Sequence, residues 1–234
     1  MLKYILLAVA VILTAIFIVV RLKKGGVWGL YTKTIASIGF VVLGLLGAYE
    51  NGLTLPIVFM LLGLICGMLG DIVLDLKVVY KQDNNPHLNA GMLCFGVGHV
   101  CYFIALTLAI SKYSLFADKT LPIILISALI AVLFTIGVML LAKPLLKLDF
   151  GKFKIQTILY TFALSFMTSY AIVISIFAVK IVLFAIGLGL ILISDLVLSN
   201  QYFGGKQDSR LLTFVNHAIY YMGQIAIAMM IYFI

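Results

Sequence analysis

Residues 55–77 read LPIVFMLLGLICGMLGDIVLDLK: an apolar run with no charge until Asp71, followed one helical turn later by Asp75 and then by Lys77. A run of this length is what a membrane-spanning helix needs, at roughly 20 apolar residues for a hydrocarbon core about 30 Å thick. Working outward, the same pattern recurs along the whole 234-residue chain, which is 65% hydrophobic and 10% charged, with a mean hydropathy of +1.25. That composition lies far from a soluble domain. Apolar runs between charged or turn-rich breaks predict eight helices over approximately 2–20, 28–48, 53–75, 88–110, 121–142, 155–178, 181–200 and 210–233. The expected fold is an all-α, polytopic membrane bundle of eight helices forming one transmembrane domain over 1–234. No break between runs reaches domain size, so any chemistry belongs among the helices.

The breaks are short: RLKKGG, ENG, KVVYKQDNNPH, SKYSLFADKT, KPLLKLDFGKFK, a tight join at Lys180, and FGGKQDSR. Residues 2–20 are read as a span and not a signal peptide, because no small-residue cleavage site follows and Arg21, Lys23 and Lys24 come after the run. Arg21, Lys23, Lys24, Lys33, Lys77, Lys81, Lys143, Lys147, Lys152, Lys154, Lys206 and Arg210 fall on the side of the odd-numbered loops. Lys3, Lys112, Lys119 and Lys180 fall on the other. The positive-inside rule then predicts both termini outside and the basic loops in the cytoplasm. The net charge of +8 is explained by these loops and by anionic lipid headgroups, with no call for nucleic acid. Cys66, Cys94 and Cys101 lie inside apolar runs without metal-ligand spacing and are read as packing residues.

Against this background the buried polar residues stand out. Asp71 lies about 18 residues into the third run and Asp195 about 14 into the seventh, which places both near the basic end of the core at matching depth. His99 and His217, on the fourth and eighth runs, fall roughly 10 to 16 Å deep from that same end. An ionisable residue inside a span is a functional candidate by default. Asp75, one turn nearer the water, is read as less involved, and His87 as a residue at the start of a helix. The four deeper groups are expected to share one cavity opening to the cytoplasm.

There is an internal echo. GDIVLDL at 70–76 resembles SDLVLSN at 194–200, and each is followed, 28 and 22 residues after its Asp, by His-x-x-Tyr, as GHVCY at 98–102 and NHAIY at 216–220. This predicts a duplicated helical hairpin. His217, Tyr220 and Gln224 recur at helical spacing, with His99 and Tyr102 as a shorter version, and such a stripe must face a bundle interior or a wet cavity.

GDIVL, FGVGHVCYF, SDLVLSN and YYMGQ, in this order across eight predicted runs, resemble the YhhN and lysoplasmalogenase family of integral membrane proteins. The resemblance runs from about residue 28 to 228. It implies hydrolysis of the vinyl ether bond of a lysoplasmalogen to a fatty aldehyde and a glycerophospho-ethanolamine or glycerophospho-choline. Residue by residue, it places the two acidic motifs on Asp71 and Asp195 and the His/Tyr segment on His99 and Tyr102. The reaction needs an acid that protonates carbon and an anion that stabilises the resulting oxocarbenium ion. Burial disfavours a charged carboxylate, and a second carboxylate nearby disfavours it further. One Asp is then expected to donate a proton while the other stays ionised and activates water, the division of labour of glycosidases. His99, Tyr102, His217, Tyr220, Asn200 and Gln224 are expected to orient the pair or hold water. Lys33, Lys77, Lys81 and Arg210 are candidates for the lipid phosphate, with no basis for choosing among them.

The expected partners are the lysophospholipid substrate and membrane lipid, in the cell membrane, and no cofactor is expected. The sequence holds no His-x-x-x-His pair, so a pre-ordered two-histidine metal site on one helix is not expected. The rival reading is a small proton-coupled transporter, in which buried Asp residues serve a translocation path.

Overall fold

The computed structural model describes residues 1–80, 84–111, 116, 119–206 and 209–234. The described residues form eight long helices: α1 (Leu2–Lys23), α2 (Gly26–Asn51), α3 (Leu55–Val79), α4 (Asn84–Ile110), α5 (Thr120–Leu146), α6 (Lys154–Phe177), α7 (Val182–Phe203) and α8 (Arg210–Met230). Tight 3-10 turns occupy Gly151–Phe153, Val179–Ile181 and Ile231–Phe233. All eight helices, counted with their adjoining turns, are long and apolar enough to cross a bilayer, and their order and bounds match the eight predicted runs to within a few residues. The join at Lys180 is the 3-10 turn between α6 and α7.

Local chemistry sets the ends. Pro56 sits in the first turn of α3, where its missing N–H costs no intrahelical bond. Pro144 lies in the last turn of α5, and the helix stops at Lys147, which takes the left-handed conformation at φ 54°. Lateral faces are apolar outward, as lipid requires. α1 exposes Ile5, Val9, Ile12 and Ile16, and α5 exposes Leu121, Leu125, Leu129 and Leu133.

The chain divides into two compact units, Met1–Ala109 with Gln224–Ile234, and Ile110–Gly223. In the first, α2 is the central helix, packing against α1, α3 and the turn Ile231–Phe233. Its core includes Phe17, Phe40, Leu43 and Leu64, all fully buried. The Tyr232 hydroxyl donates to the Leu43 carbonyl at 3.0 Å and the Asn51 amide donates to the Ile231 carbonyl at 2.7 Å. α3 and α4 approach closely where the Tyr102 ring lies over Gly63, in space that any side chain at position 63 would occupy.

In the second unit α6 is central, between α5 and α7. Its core holds Leu164, Tyr170, Ile174, Phe184 and Leu188. Ser169 of α6 donates to the Ser127 carbonyl of α5 at 2.9 Å, and Asn216 of α8 donates to the carbonyl and hydroxyl of Ser194 at 2.8 and 3.0 Å. The α5–α6 connection is tied to the end of α7: Asp149 N–H donates to the Phe203 carbonyl at 2.9 Å, and the Phe150 and Phe203 rings meet edge to face at 5.0 Å.

Candidate active site

Helical spacing builds the site in the first unit. Asp71 and Asp75 are four residues apart on α3, and Lys33 and Ser37 are four apart on α2, so each pair shares a face of its helix. The two faces meet. Lys33 Nζ lies 3.3 Å from Asp71 Oδ1 and 3.3 Å from Asp75 Oδ1. Ser37 Oγ donates to Asp71 Oδ2 at 2.7 Å. From α1, the Arg21 guanidinium pairs with the remaining oxygen of Asp75. Asp71 and Asp75 are 2% and 4% exposed and Lys33 is 4% exposed, so this is a buried network of two cations and two carboxylates.

Charge balance explains how an apolar bundle tolerates it, since isolated buried charges are costly and paired, hydrogen-bonded ones much less so. The Arg21 guanidinium also lies over the Phe17 ring, at 5.5 Å to the centroid, and reaches Asp75 across Gly29. A Cβ at position 29 would come within 2.9 Å of the guanidinium carbon, so glycine there leaves the path open.

The other residues singled out by sequence fall in several places. In the first unit, His99 and Tyr102 are buried on α4, with ring centroids 6.4 Å apart. Tyr102 lies over Gly63, two turns before Asp71, a separation of about 12 Å along α3. Gln224 is 3% exposed and packs on Gly67, one turn before Asp71. Lys77 is half-buried at the end of α3, and Lys81 lies outside the described residues.

In the second unit, Asp195 is half-buried on α7 and accepts a hydrogen bond from the Tyr160 hydroxyl of α6 at 2.5 Å. Asn200, half-buried one turn beyond, donates back to the Leu196 carbonyl at 3.0 Å. His217 is half-buried and Tyr220 buried on α8, and the Tyr220 ring meets Tyr221 edge to face at 5.3 Å. Arg210 is exposed at the start of α8.

Sequence reasoning missed Ser37, Tyr160 and the pairing role of Arg21, and it gave Asp75 less weight than its burial warrants. The available signal was spacing. Lys33 and Ser37 form the same four-residue repeat in an apolar helix as Asp71 and Asp75. Lys33, a phosphate candidate by sequence, lies between the two carboxylates in the structure.

The fold and site define an integral, multi-pass, all-helical membrane protein with ionisable groups held inside its spans. The model of the YhhN family matches residues 28–231, nearly the whole chain. The chain belongs to the YhhN family. Comparison with curated proteins and with solved structures gives no match.

Proposed function

We propose that the protein is a lysoplasmalogenase-like membrane hydrolase that cleaves a vinyl ether lipid by carboxylate acid/base chemistry. The observation that carries the reading is that both acidic motifs of the family resemblance hold a carboxylate within a spanning helix, each fixed by a hydroxyl donor: Ser37 for Asp71 and Tyr160 for Asp195. Positioned carboxyl groups of this kind supply general acid/base catalysis.

Vinyl ether cleavage begins with transfer of a proton to the β-carbon of the double bond, which leaves an oxocarbenium ion. Water adds to that cation and returns a proton to the spent acid, giving a hemiacetal that collapses to aldehyde and alcohol. In this reading Asp195, which accepts a hydrogen bond from the Tyr160 hydroxyl, is the acid. Asp71, already matched by the Lys33 ammonium, is the carboxylate that remains an anion throughout. His99, Tyr102, His217, Tyr220, Asn200 and Gln224 orient these groups or hold water. Of the four phosphate candidates, Lys33 is engaged by the two carboxylates, and the phosphate is left to cations at the basic ends of the spans. The protein lies in the cell membrane with its basic loops and the opening of its site on the cytoplasmic side, following the bias of basic residues toward the odd-numbered loops, which persists without Arg21 and Lys33.

The test is aldehyde release by purified protein from a lysoplasmalogen and from its saturated alkyl-ether analogue. Aldehyde is expected from the vinyl ether alone. Asp71→Asn and Asp195→Asn are each expected to lower the rate by about 10²- to 10⁴-fold while still eluting as folded protein. No aldehyde from well-folded wild type across a panel of headgroups would sink the assignment. The rival transporter reading draws on the repeated arrangement of a central helix and a carboxylate in each unit. It predicts substrate accumulation in sealed vesicles and no aldehyde in detergent.

A further inference from the structure

One face of α6 carries polar groups that the acid/base reading leaves unused. At 100° per residue, Gln156 and Thr157 bracket Tyr160 within an arc of about 100°, one turn closer to the start of the helix. Thr157 is 7% exposed. Its Oγ1 and the Gln156 Oε1 are both buried, and neither has a hydrogen-bond partner among the described residues. One turn on, Tyr160 donates to Asp195. Before them stand two exposed lysines, Lys152 in the preceding 3-10 turn and Lys154 at the first residue of the helix.

Buried polar atoms are almost always matched, so two neighbouring orphans call for an explanation. An amide oxygen accepts only, and a threonine hydroxyl accepts or donates. The Gln156 oxygen calls for a donor and Thr157 tolerates one, so together they suit a ligand that brings an O–H. Passing along α6 from its start, the order is therefore cation, hydroxyl acceptor, and then the Tyr160 hydroxyl that holds the Asp195 carboxyl of α7. A glycerophospholipid bearing a single chain displays phosphate, free secondary hydroxyl and ether oxygen on three successive glycerol carbons, in that same order. Lysine stems are long and flexible enough to cover the remaining reach to the phosphate.

We infer that Gln156 and Thr157 are specificity-determining residues that read the free secondary hydroxyl of a single-chain ether phospholipid, with the phosphate toward Lys152 and Lys154 and the ether toward Asp195. The inference rests on the hydrolase reading above and adds the substrate's register. Acylation of that hydroxyl removes the donor that the Gln156 oxygen would accept.

The experiment is equilibrium binding to the purified full-length protein of a radiolabelled 1-alkyl lysophospholipid, which cannot be cleaved, and of its 2-deoxy analogue. Wild type is expected to bind the hydroxylated lipid roughly fivefold more tightly, the scale of one neutral hydrogen bond. Thr157→Val, which keeps the shape of the side chain, and Gln156→Leu are each expected to shrink that preference. Thr157→Ser is expected to retain it. Equal binding of the two lipids by wild type, absence of binding, or a preference unchanged in both folded variants overturns the inference. The wild-type comparison needs no variant to fold. Hydroxyl preference without aldehyde release would retain the binding register and sink the reaction. Aldehyde release without hydroxyl preference would do the reverse.

Discussion

Asp71 and Asp195 occupy corresponding places in the two units and differ in company. Each lies on the helix that follows its unit's central helix, and each accepts a hydrogen bond from a hydroxyl on that central helix, 34 residues earlier for Asp71 and 35 for Asp195. Four residues before each hydroxyl the units diverge: Lys33 in the first and Gln156 in the second. Lys33 bridges two carboxylates, whereas the Gln156 amide oxygen is buried without a donor among the described residues. One frame thus carries a network of paired charges in one unit and, in the other, a polar face in which two buried oxygens have no partner among the described residues. Geometry was kept while charge was exchanged, which separates positioning a carboxylate from neutralising it.

Lys33→Met tests that separation most severely. It leaves two buried carboxylates without the ammonium between them, and breaking such a network costs about 3–5 kcal/mol. The expected result is a large fall in thermal midpoint in detergent, partly restored by adding Asp71→Asn. Gln156→Met, at the corresponding position, is expected to shift the midpoint far less. Similar losses at the two positions would break the comparison.

The next effect in size is Gly63→Ala. Its new methyl collides with the Tyr102 ring, a rigid buried group, at a cost of about 1–3 kcal/mol. Gly29→Ala meets the far end of the Arg21 side chain and is expected to cost less in stability, with the loss confined to the Arg21–Asp75 pair. A double-mutant cycle with Arg21→Met reads this as coupling between positions 21 and 29. Additive effects would show that Arg21 accommodates the methyl without giving up Asp75.

The smallest and most diagnostic pair is Ser37→Ala with Tyr160→Phe, each removing one hydroxyl donor. Each is expected to cost about 1 kcal/mol. If Asp195 is the acid, Tyr160→Phe lowers the rate of aldehyde release with little change in KM, and Ser37→Ala shows mainly in stability. Equal effects on rate would return the two carboxylates to equivalent roles.

The spans were legible because a bilayer imposes length and composition on every helix, and residues such as Pro56 mark an end locally. Asp71 was legible for the same reason: a charge inside an apolar run violates the pattern. Arg21 was not, because a basic residue just past a span has the same sequence signature whether it snorkels to the headgroups or turns inward to Asp75. Ser37 and Tyr160 were hidden for a different reason. Serine and tyrosine are ordinary in helix interfaces, and their importance lies in which carboxylate the neighbouring helix presents. The hairpin echo around the two Asp residues was visible in sequence, and its counterpart on α2 and α6 emerges only from the hydrogen bonds that join them.

α8 contributes to both units, with Gly223 the last residue of the second and Gln224 the resumption of the first. The carbonyls of Leu43 and Ile231 are engaged by Tyr232 and Asn51, across a chain separation that includes the whole second unit. During synthesis the ribosome must therefore finish every intervening helix before the first unit receives its closing piece. The order in which the protein matures is the reverse of what reading from the N-terminus implies: the earlier-made unit is the later to be completed.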